Sequence, residues 1–405
     1  MSPVILLLST YPFQQPRHGG QLRLASLARA YAAAGWQVES LAVYEPEAYD
    51  TEVLGLHDIS FPMDSRYRLL KGRKPVFIND YLSGIYAAAD DGGFPQIERH
   101  LPARLDAIHV EQPWLWPLAK RIFALPRFNH VKLILGSQNI EFELKLDIFH
   151  SCGTVDTLGA LQDIQALERQ SVSEADLVLA VTESDYNKLA AMGARTLLLA
   201  PNGIQPWKAS NDALARWRSR LPKVPWILYV ASAHPPNFTG FVHCVGDSLA
   251  CIPPNAKLVL AGGVTEHIYH VLNKTRRNSL NLSRLELLFT LSDEDLAAVK
   301  TLAHAFLLPI QHGGGSNIKT AEALYSGKYV IGSPAAFRGY SKWTHLPEVT
   351  QAHSPTEFQQ AMRSILLKPA LNPGPISDTD LRADLRWDHC LSPVPQALAQ
   401  WVNKE

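Results

Sequence analysis

The sequence predicts an α/β protein built from two doubly wound parallel-sheet domains in succession. The chain has 405 residues, more than one hydrophobic core usually serves, so two domains of about 150 to 200 residues are expected. Short, continuously apolar runs also alternate with helical patterns. Such runs are typical of parallel strands that helices cover on both faces.

The first half of the chain contains six apolar runs, each predicted to be a strand. They are Val4 to Ser9, Gln37 to Val43, Ala107 to Val110, Lys132 to Leu135, Leu177 to Thr182 and Thr196 to Ala200. Between the first two lies Gln21 to Ala34, rich in alanine, leucine and arginine, and Gly35 is suited to end that helix. The order strand, helix, strand indicates a doubly wound sheet.

The pattern begins again after Pro201-Asn202-Gly203 and a polar, helix-like connector. The runs of this second half are Trp226 to Ala231, Lys257 to Ala261, Leu285 to Phe289, Ala305 to Ile310 and Tyr329 to Gly332. We therefore predict an N-terminal domain over 1–203, a linker over 204–222, a C-terminal domain over 223–384 and a final segment over 385–405. Ligands of such sheets bind beyond the carboxyl ends of the strands, so two facing sheets predict a substrate in a central cleft.

Composition excludes several classes of function. Lysine plus arginine and aspartate plus glutamate both number 38, so no global field favours nucleic acid, and we expect no nucleic-acid partner. The four cysteines have neither zinc-ligand nor disulfide spacing, which fits a reducing cytoplasm. The apolar start is too short for a signal peptide, and no run is long enough to span a membrane. A cytoplasmic protein is predicted, with only peripheral membrane contact.

The most informative segment is a strand, a glycine-rich loop and a helix, from Pro309 to Gly327. Gly313, Gly314 and Gly315 permit close backbone approach, and Ser316 or Asn317 can cap the helix that starts near Ile318. Unpaired backbone N–H groups and the positive helix end can hold a diphosphate without a metal ion. Lys319, in the first turn, adds a positive charge.

The acidic side chain of Glu322, one turn beyond Lys319, has two readings. It can accept hydrogen bonds from the vicinal hydroxyls of a ribose. It can equally form a surface ion pair with Lys319, worth only about 0.2 to 0.5 kcal/mol. Spacing alone does not separate the two.

This segment resembles the donor-site signature of glycosyltransferase family 4, in which a glycine-rich loop precedes a helix carrying Glu-Ala-Leu. Further resembling pieces, spread over nearly the whole chain, are His18-Gly19-Gly20, the strand from Ala175 to Ser184, Pro201 to Ile204 and Leu291 to Leu296. The family consists of retaining enzymes with the GT-B fold, two Rossmann-like domains that face a cleft. Leu385 to His389 and the apolar segment after it resemble the family's last helix, which crosses back to the N-terminal domain.

The resemblance also assigns roles and shows departures in the donor half. Glu322 matches the second glutamate of the family's Glu-x7-Glu pattern, which holds the donor ribose, while the first glutamate falls at Gly314. The arginine and lysine that contact the diphosphate fall at Ser232 and Asn237. Charge compensation for the leaving phosphate is then expected from N–H groups, Lys319 and Arg338.

Three N-terminal candidates complete the predicted site. Gln138 stands where the family often carries a histidine near the transferred sugar, and it can bond hydroxyls but not shuttle a proton. His109 and Glu111 end a strand on one face and can orient hydroxyls, although a satisfied structural histidine is the favoured alternative for His109. The turn at His18, Gly19 and Gly20 either approaches the phosphate or is a tight turn alone.

The sequence thus predicts transfer of a sugar, with retention, from a nucleoside diphosphate sugar to a sugar or lipid-linked acceptor, in polysaccharide or glycoconjugate biosynthesis. Neither a cofactor nor a metal is expected. The alternatives are a nucleotide-sugar epimerase of the same fold and a catalytically silent protein that binds nucleotide or glycan. The cation-rich segment from Arg66 to Lys74 can touch anionic lipid at the inner face of a membrane, but a solvated loop is the safer reading. The sequence does not predict the oligomeric state.

Overall fold

The computed structural model describes residues 2–374 and 380–402. The chain divides into two compact units: unit 1 comprises Met1–Asn202 and Trp387–Glu405, and unit 2 comprises Gly203–Arg386. Each unit has its own parallel sheet and its own hydrophobic core. The prediction of two α/β domains with parallel sheets is therefore confirmed.

Unit 1 is built on a seven-stranded sheet in which every pair of neighbours is parallel. Its strands are β1 (Val4–Ser9), β2 (Gln37–Tyr44), β3 (Ile59–Ser60), β4 (Ala107–Glu111), β5 (Lys132–Ser137), β6 (Leu177–Ala180) and β7 (Leu197–Leu199). Their order is β3-β2-β1-β4-β5-β6-β7. The connection from β1 runs outward in one direction and that from β4 in the other, so β1 and β4 form the switch point of the sheet.

The helices of unit 1 cover the sheet and include the end of the chain. They are α1 (Gly19–Ala33), α2 (Asn79–Ala88), α3 (Phe94–His100), α4 (Trp116–Phe123), α5 (Glu141–Ser151), α6 (Ala160–Glu174) and α7 (Glu183–Ala191). The chain returns to this unit after Arg386, where α15 (Trp387–Leu391) and α16 (Pro393–Val402) contact α1. The Lys132 amine lies 5.8 Å from the centroid of the Trp401 ring, which adds a contact to β5.

Unit 2 repeats the arrangement with six parallel strands. They are β8 (Trp226–Val230), β9 (Lys257–Ala261), β10 (Leu285–Phe289), β11 (Ala305–Leu308), β12 (Tyr329–Gly332) and β13 (Val349–Gln351), in the order β10-β9-β8-β11-β12-β13. The helices are α8 (Asn211–Arg220), α9 (Pro235–Val245), α10 (Val264–Asn273), α11 (Asn278–Ser283), α12 (Asp293–Leu302), α13 (Ile318–Tyr325) and α14 (Pro355–Leu366). Here β8 and β11 flank the switch point.

Polar caps fix where several helices begin. The side chains of Ser210, Ser292 and Ser354 each accept a hydrogen bond from a backbone amide in the first turn of α8, α12 and α14. Such a cap satisfies one of the amides that a helix leaves unpaired at its start. These serines follow loops at strand ends, so the caps help to set the point at which each βα connection becomes helical.

The structure adds two elements that the apolar runs did not indicate. The short edge strands β3 and β13 have two and three residues, too few for a periodic signal. The segment 204–222, expected as a linker, contains α8, whose Trp217 is buried in a core of unit 2. Part of this segment is therefore structural rather than a free connection.

Candidate functional site

The glycine loop lies at the switch point of the sheet of unit 2. It follows β11 at the carboxyl edge and leads into α13, and both Gly313 and Gly315 have positive φ angles, of 129° and 56°. A side chain at either position would be strained. Asn317 is the cap residue of α13, and its Oδ1 accepts a 3.0 Å hydrogen bond from the Lys319 amide. The loop geometry therefore depends on glycine.

Four amides in this loop and at the start of α13 are open. Within residues 2–374 and 380–402, no group accepts a hydrogen bond from the backbone N–H of Gly313, Gly314, Gly315 or Ile318. Backbone donors in folded proteins are nearly always paired with protein or with water. A run of open donors at the start of a helix, where the helix dipole is positive, is the geometry that binds an anion.

Two cationic side chains flank these amides. The Lys319 amine donates a 2.9 Å hydrogen bond to Asn237 Oδ1, and the amide of Asn237 in turn donates to Ser232 Oγ at 3.2 Å. Burial lowers the pKa of Lys319 to about 8, although the nearby Glu322 carboxylate acts in the opposite direction. Arg338 Nε donates to the carbonyl of Gly315 at 2.6 Å, so its guanidinium holds the loop from the other side.

Glu322 has a different partner from the one that its spacing suggested. Its Oε1 accepts a 2.6 Å hydrogen bond from the amine of Lys300 on α12. The surface pair with Lys319 is not formed, because the amine of Lys319 is directed to Asn237 instead. The Glu322 side chain keeps 28% of its surface exposed, so it remains accessible to a ligand.

The structure therefore gathers most of the predicted donor-binding residues. Ser232, Asn237 and Lys319 form one hydrogen-bonded chain, and Arg338 bonds the glycine loop itself. Sequence reasoning missed Lys300. It lies on another helix, 22 positions from Glu322, and no short motif connects two such residues.

In unit 1, the turn at His18 gathers around Tyr11, just beyond β1. The Gln138 amide donates a 2.6 Å hydrogen bond to the Tyr11 hydroxyl, and a Cβ at Gly20 would lie 2.6 Å from that hydroxyl. The rings of His18 and Tyr11 pack edge to face, with centroids 5.1 Å apart. His18, Gly20 and Gln138 are thus neighbours. Tyr11 was not predicted, although its position after a strand at the switch point is a usable signal.

His109 and Glu111 lie inside unit 1 and have no exposed surface. Glu111 Oε1 accepts a 2.8 Å hydrogen bond from Nε of Arg23, whose side chain is 1% exposed. Burial alone would raise the pKa of the Glu111 carboxyl, but the Arg23 charge and the hydrogen bond from His109 outweigh it and hold that pKa below its usual value.

The hydrogen bonds of His109 are fully used within the protein. Its Nε2 lies 2.8 Å from Glu111 Oε2 and its Nδ1 lies 2.8 Å from the Tyr31 hydroxyl, so both ring nitrogens have a hydrogen-bond partner. Gly136 makes room for the pair, since a Cβ there would lie 2.0 Å from Glu111 Oε2. In this conformation neither His109 nor Glu111 offers a surface to a substrate, and the satisfied structural histidine is the arrangement observed.

An open cavity lies instead beyond the carboxyl ends of β1 and β2. Its volume is about 430 Å³, and Thr10, Glu45 and Asp80 are among the residues that line it. Lys145, at one wall, donates a 2.6 Å hydrogen bond to Asp80 Oδ2. Glu45 Oε1 is buried, and no described residue donates a hydrogen bond to it. Arg68 Nη1 lies 3.9 Å from the same oxygen, and the other polar groups that line the cavity can form hydrogen bonds with hydroxyls.

The segment from Arg66 to Lys74 is not uniformly exposed. Arg68 is buried at 5% exposure, where Nη2 donates to the carbonyl of Phe61 and Nη1 to Glu47. Arg66 pairs with Asp91. Large apolar side chains are exposed near the same segment: Leu56, Met63, Leu69, Val76 and Phe77. Arg68 is therefore a structural cation, and the surface of this region mixes the remaining cations with apolar groups.

The described residues contain neither a helix that could span a membrane nor a cluster of side chains that could hold a metal ion. No helix within residues 2–374 and 380–402 combines the length and apolarity needed to cross a membrane. Over the same residues, no group of three or more histidine, cysteine or acidic side chains is placed to hold a metal ion.

Comparison with known proteins agrees with this architecture. Residues 18–203, slightly under half of the chain, match the family model described as Glycosyl transferase 4-like domain. No curated protein sequence matches the chain. The chain therefore has the GT-B fold, and residues 18–203 are similar to a glycosyl transferase 4-like domain, a similarity that supports glycosyl transfer in general.

Solved structures share the fold over the whole length. Sucrose-phosphate synthase from Thermosynechococcus elongatus has a TM-score of 0.62 and 15% identity, with 100% of both chains covered. Anabaena HepE in complex with UDP has a TM-score of 0.62 and 14% identity, covering 99% of this chain and 100% of that one. WaaG, a glycosyltransferase involved in lipopolysaccharide biosynthesis, has a TM-score of 0.59 and 14% identity, covering 99% and 100%.

Proposed function

We propose that the protein is a retaining glycosyltransferase that moves a sugar from a nucleoside diphosphate sugar to a sugar or lipid-linked acceptor. The observation that carries the proposal is the set of open amides at Gly313, Gly314, Gly315 and Ile318 beside the Lys319 amine. These groups would hold the diphosphate and stabilise it as it leaves. HepE structures were solved with UDP and with UDP-glucose, which favours such a donor here.

Lys319 and Arg338 can supply the positive charge that an arginine and a lysine bring to the diphosphate in family 4. In the resemblance to family 4, a lysine is expected where Asn237 stands. The Lys319 amine lies 2.9 Å from Asn237 Oδ1, so a positive charge is present beside that position, supplied from α13. The bond from Arg338 to Gly315 adds a second cation at the loop. Neither group requires a bound metal, so we propose transfer without a metal cofactor.

The ribose is assigned to Glu322. Its carboxylate is partly exposed and one helical turn from Lys319, which suits two hydrogen bonds to vicinal hydroxyls. Its ion pair with Lys300 holds the side chain in place and leaves lone pairs on the carboxylate unused. Binding of a nucleotide would then add contacts to Glu322 without having to break that pair.

The acceptor is assigned to the cavity of unit 1 beside Glu45. Carboxylate, amide and hydroxyl groups line it, which suits the hydroxyls of a saccharide. The exposed apolar side chains and cations of residues 56–77 would allow a lipid-linked acceptor to be met at the inner face of a membrane. We propose such peripheral contact, in polysaccharide or glycoconjugate assembly.

A donor screen tests this proposal. Thermal shift with UDP, GDP and ADP sugars should identify one donor that stabilises the protein by about 2.7 kcal/mol at 100 times its dissociation constant. Glu322→Ala should weaken binding of that donor without unfolding the protein, and Lys319→Ala should chiefly slow turnover. If both variants bind and turn over the donor as the wild type does, the assignment of this site is wrong.

Product analysis distinguishes retaining transfer from the two alternatives. Nucleoside diphosphate released together with a new glycoside of unchanged anomeric configuration, read by NMR, supports retaining transfer. An epimerised free sugar would indicate the epimerase alternative, and binding without transfer or slow hydrolysis would indicate a silent binding protein. We expect the enzyme to keep full activity after exhaustive treatment with EDTA. If activity is lost and added divalent metal restores it, the proposal that transfer needs no metal is wrong.

A further inference from the structure

A second cleft lies at the opposite edge of the sheet of unit 2. Its volume is about 1160 Å³, and its walls include Pro225, His304 and Lys328, the residues directly before β8, β11 and β12. The glycine loop follows the carboxyl end of β11, so this cleft and that loop are at opposite ends of the same strands. We call it the basal cleft. Among its described lining residues, Lys300 alone has a role in the proposed transfer reaction, through its pair with Glu322.

The charge of the basal cleft is one-sided. Among the described residues, six cationic ones line it and no aspartate or glutamate does: Arg218, Lys223, Lys300, Lys328, Lys368 and Arg382. The chain as a whole carries no net charge, so this excess is local. Like charges that converge on a concave surface repel one another and attract counter-ions.

Only two of the six cations are neutralised. Lys300 is paired with Glu322 and Arg382 with Asp380. In the part of the chain that the structure describes, no carboxylate pairs with the other four, and Lys328 reaches only the carbonyl of Leu371, at 3.1 Å. Burial lowers the pKa of Lys328, as expected for an amine held in a partly dry site without a counter-charge.

The walls also offer aromatic surface. Trp207 and Tyr325 line the cleft, with ring centroids 5.7 Å apart, and Trp226 lies beside them at the start of β8. Aromatic faces pack against the rings of sugars and bases, while amines and guanidinium groups bind phosphate oxygens. Together these groups suit a molecule with an anionic phosphate end and a ring.

We propose that the basal cleft binds a small phosphorylated molecule, separate from the sugar donor. Inorganic phosphates, sugar phosphates and nucleotides share this chemistry, and the aromatic wall favours those that carry a ring. The cleft is larger than the 300 to 1,000 Å³ typical of small-molecule sites, so any of the three can enter.

Calorimetric titration of the full chain with pyrophosphate, glucose 6-phosphate and ADP tests the proposal. Lys223→Glu combined with Lys368→Glu changes two exposed cations of the cleft, and at least about tenfold weaker binding is expected. The matched control is Lys274→Glu with Arg276→Glu, which alters the same net charge at exposed positions of unit 2 outside the cleft. Pyrophosphate and ADP can also enter the proposed donor site, so the binding assigned to the cleft is the component that the double variant weakens and Lys319→Ala leaves unchanged.

The three probes and the control separate the outcomes. If glucose 6-phosphate or ADP binds more tightly than pyrophosphate, the cleft recognises a ring as well as phosphate. If all three bind equally, it recognises the phosphate alone. Either result supports the proposal that the cleft is a binding site. Equal affinity in the two double variants overturns the proposal, as does loss of binding only in Lys319→Ala. No binding of any probe to the wild type at about 1 mM also overturns it. Lys328→Gln, which removes the charge and keeps a polar side chain, is the second variant to measure if the double variant does not fold.

Discussion

The polar groups at the switch points of the two sheets differ in whether other protein groups satisfy their hydrogen bonds. In unit 1, Glu111 and His109 at the end of β4 are buried and fully bonded to Arg23 and Tyr31. In unit 2, no described group accepts a hydrogen bond from the amides of Gly313, Gly314, Gly315 and Ile318, which follow β11. A group whose hydrogen bonds are used inside the protein stabilises the fold, whereas one left open is available to a ligand.

The difference arises from the residues next to each strand end. In unit 1, α1 directs an arginine back to β4, and Arg23 Nη1 also donates to the carbonyl of Ala200 at 2.8 Å. One side chain thus joins α1, β4 and the segment after β7. In unit 2, no described group accepts a hydrogen bond from the amides of the glycine run, and Arg338 donates to the carbonyls of Gly314 and Gly315 instead. In unit 1 the switch point therefore contains a buried ion pair, Arg23 with Glu111, which we call the brace. In unit 2 the same topology leaves a loop with open amides.

The largest expected effect comes from breaking the brace. Arg23→Met leaves the buried Glu111 carboxylate without its partner, and a loss of about 3 to 5 kcal/mol in the free energy of unfolding is expected. Urea denaturation followed by circular dichroism measures it. The control is Arg29→Met, at an exposed position on the same helix, which should change stability by less than about 0.5 kcal/mol. Equal losses in both variants would show that the Arg23 pair does not differ from a surface contact.

The next effect concerns the open site and its dependence on pH. The Lys319 amine has a pKa of about 8 in the free protein and must be protonated to attract a diphosphate. Above pH 8 binding therefore requires uptake of a proton, and donor affinity should fall by up to about tenfold per pH unit. Calorimetric titration between pH 7 and 9 measures this fall.

Lys319→Met is the control for that experiment. Its donor affinity should be lower and nearly independent of pH over the same range. Because the folded amine has a lowered pKa, the folded protein binds fewer protons than the unfolded chain between pH 8 and about 10.4, and the stability of the wild type should rise with pH in that window. A fall in donor affinity that persists in Lys319→Met would assign the titration to another group.

How much of this was readable from the sequence depends on the range of the contacts. The buried strands, the glycine loop and the Asn317 cap follow from local patterns of apolar residues, glycine and helix-start residues. The partners of Glu322 and Glu111 did not, because Lys300 and Arg23 come from other elements, 22 and 88 positions away. From sequence alone, a carboxylate at a strand end is interpreted as functional, because the arginine that pairs with it is found only in the three-dimensional structure.

The smallest effect tests whether unit 1 also has an open group. Burial raises the pKa of Glu45, a residue that lines the cavity beyond β1 and β2; its Oε1 accepts no hydrogen bond from a described residue and lies 3.9 Å from Nη1 of Arg68. Glu45→Gln removes the charge while keeping the shape, so a three- to tenfold rise in KM for the acceptor is expected, equivalent to about 0.7 to 1.4 kcal/mol. Donor affinity and melting temperature should not change. Initial rates at varied acceptor concentration measure the effect, with Glu98→Gln on the exposed face of α3 as the control. An unchanged KM would mean that unit 1 has no open carboxylate for the acceptor, and the contrast between a braced unit and a binding unit would then be complete.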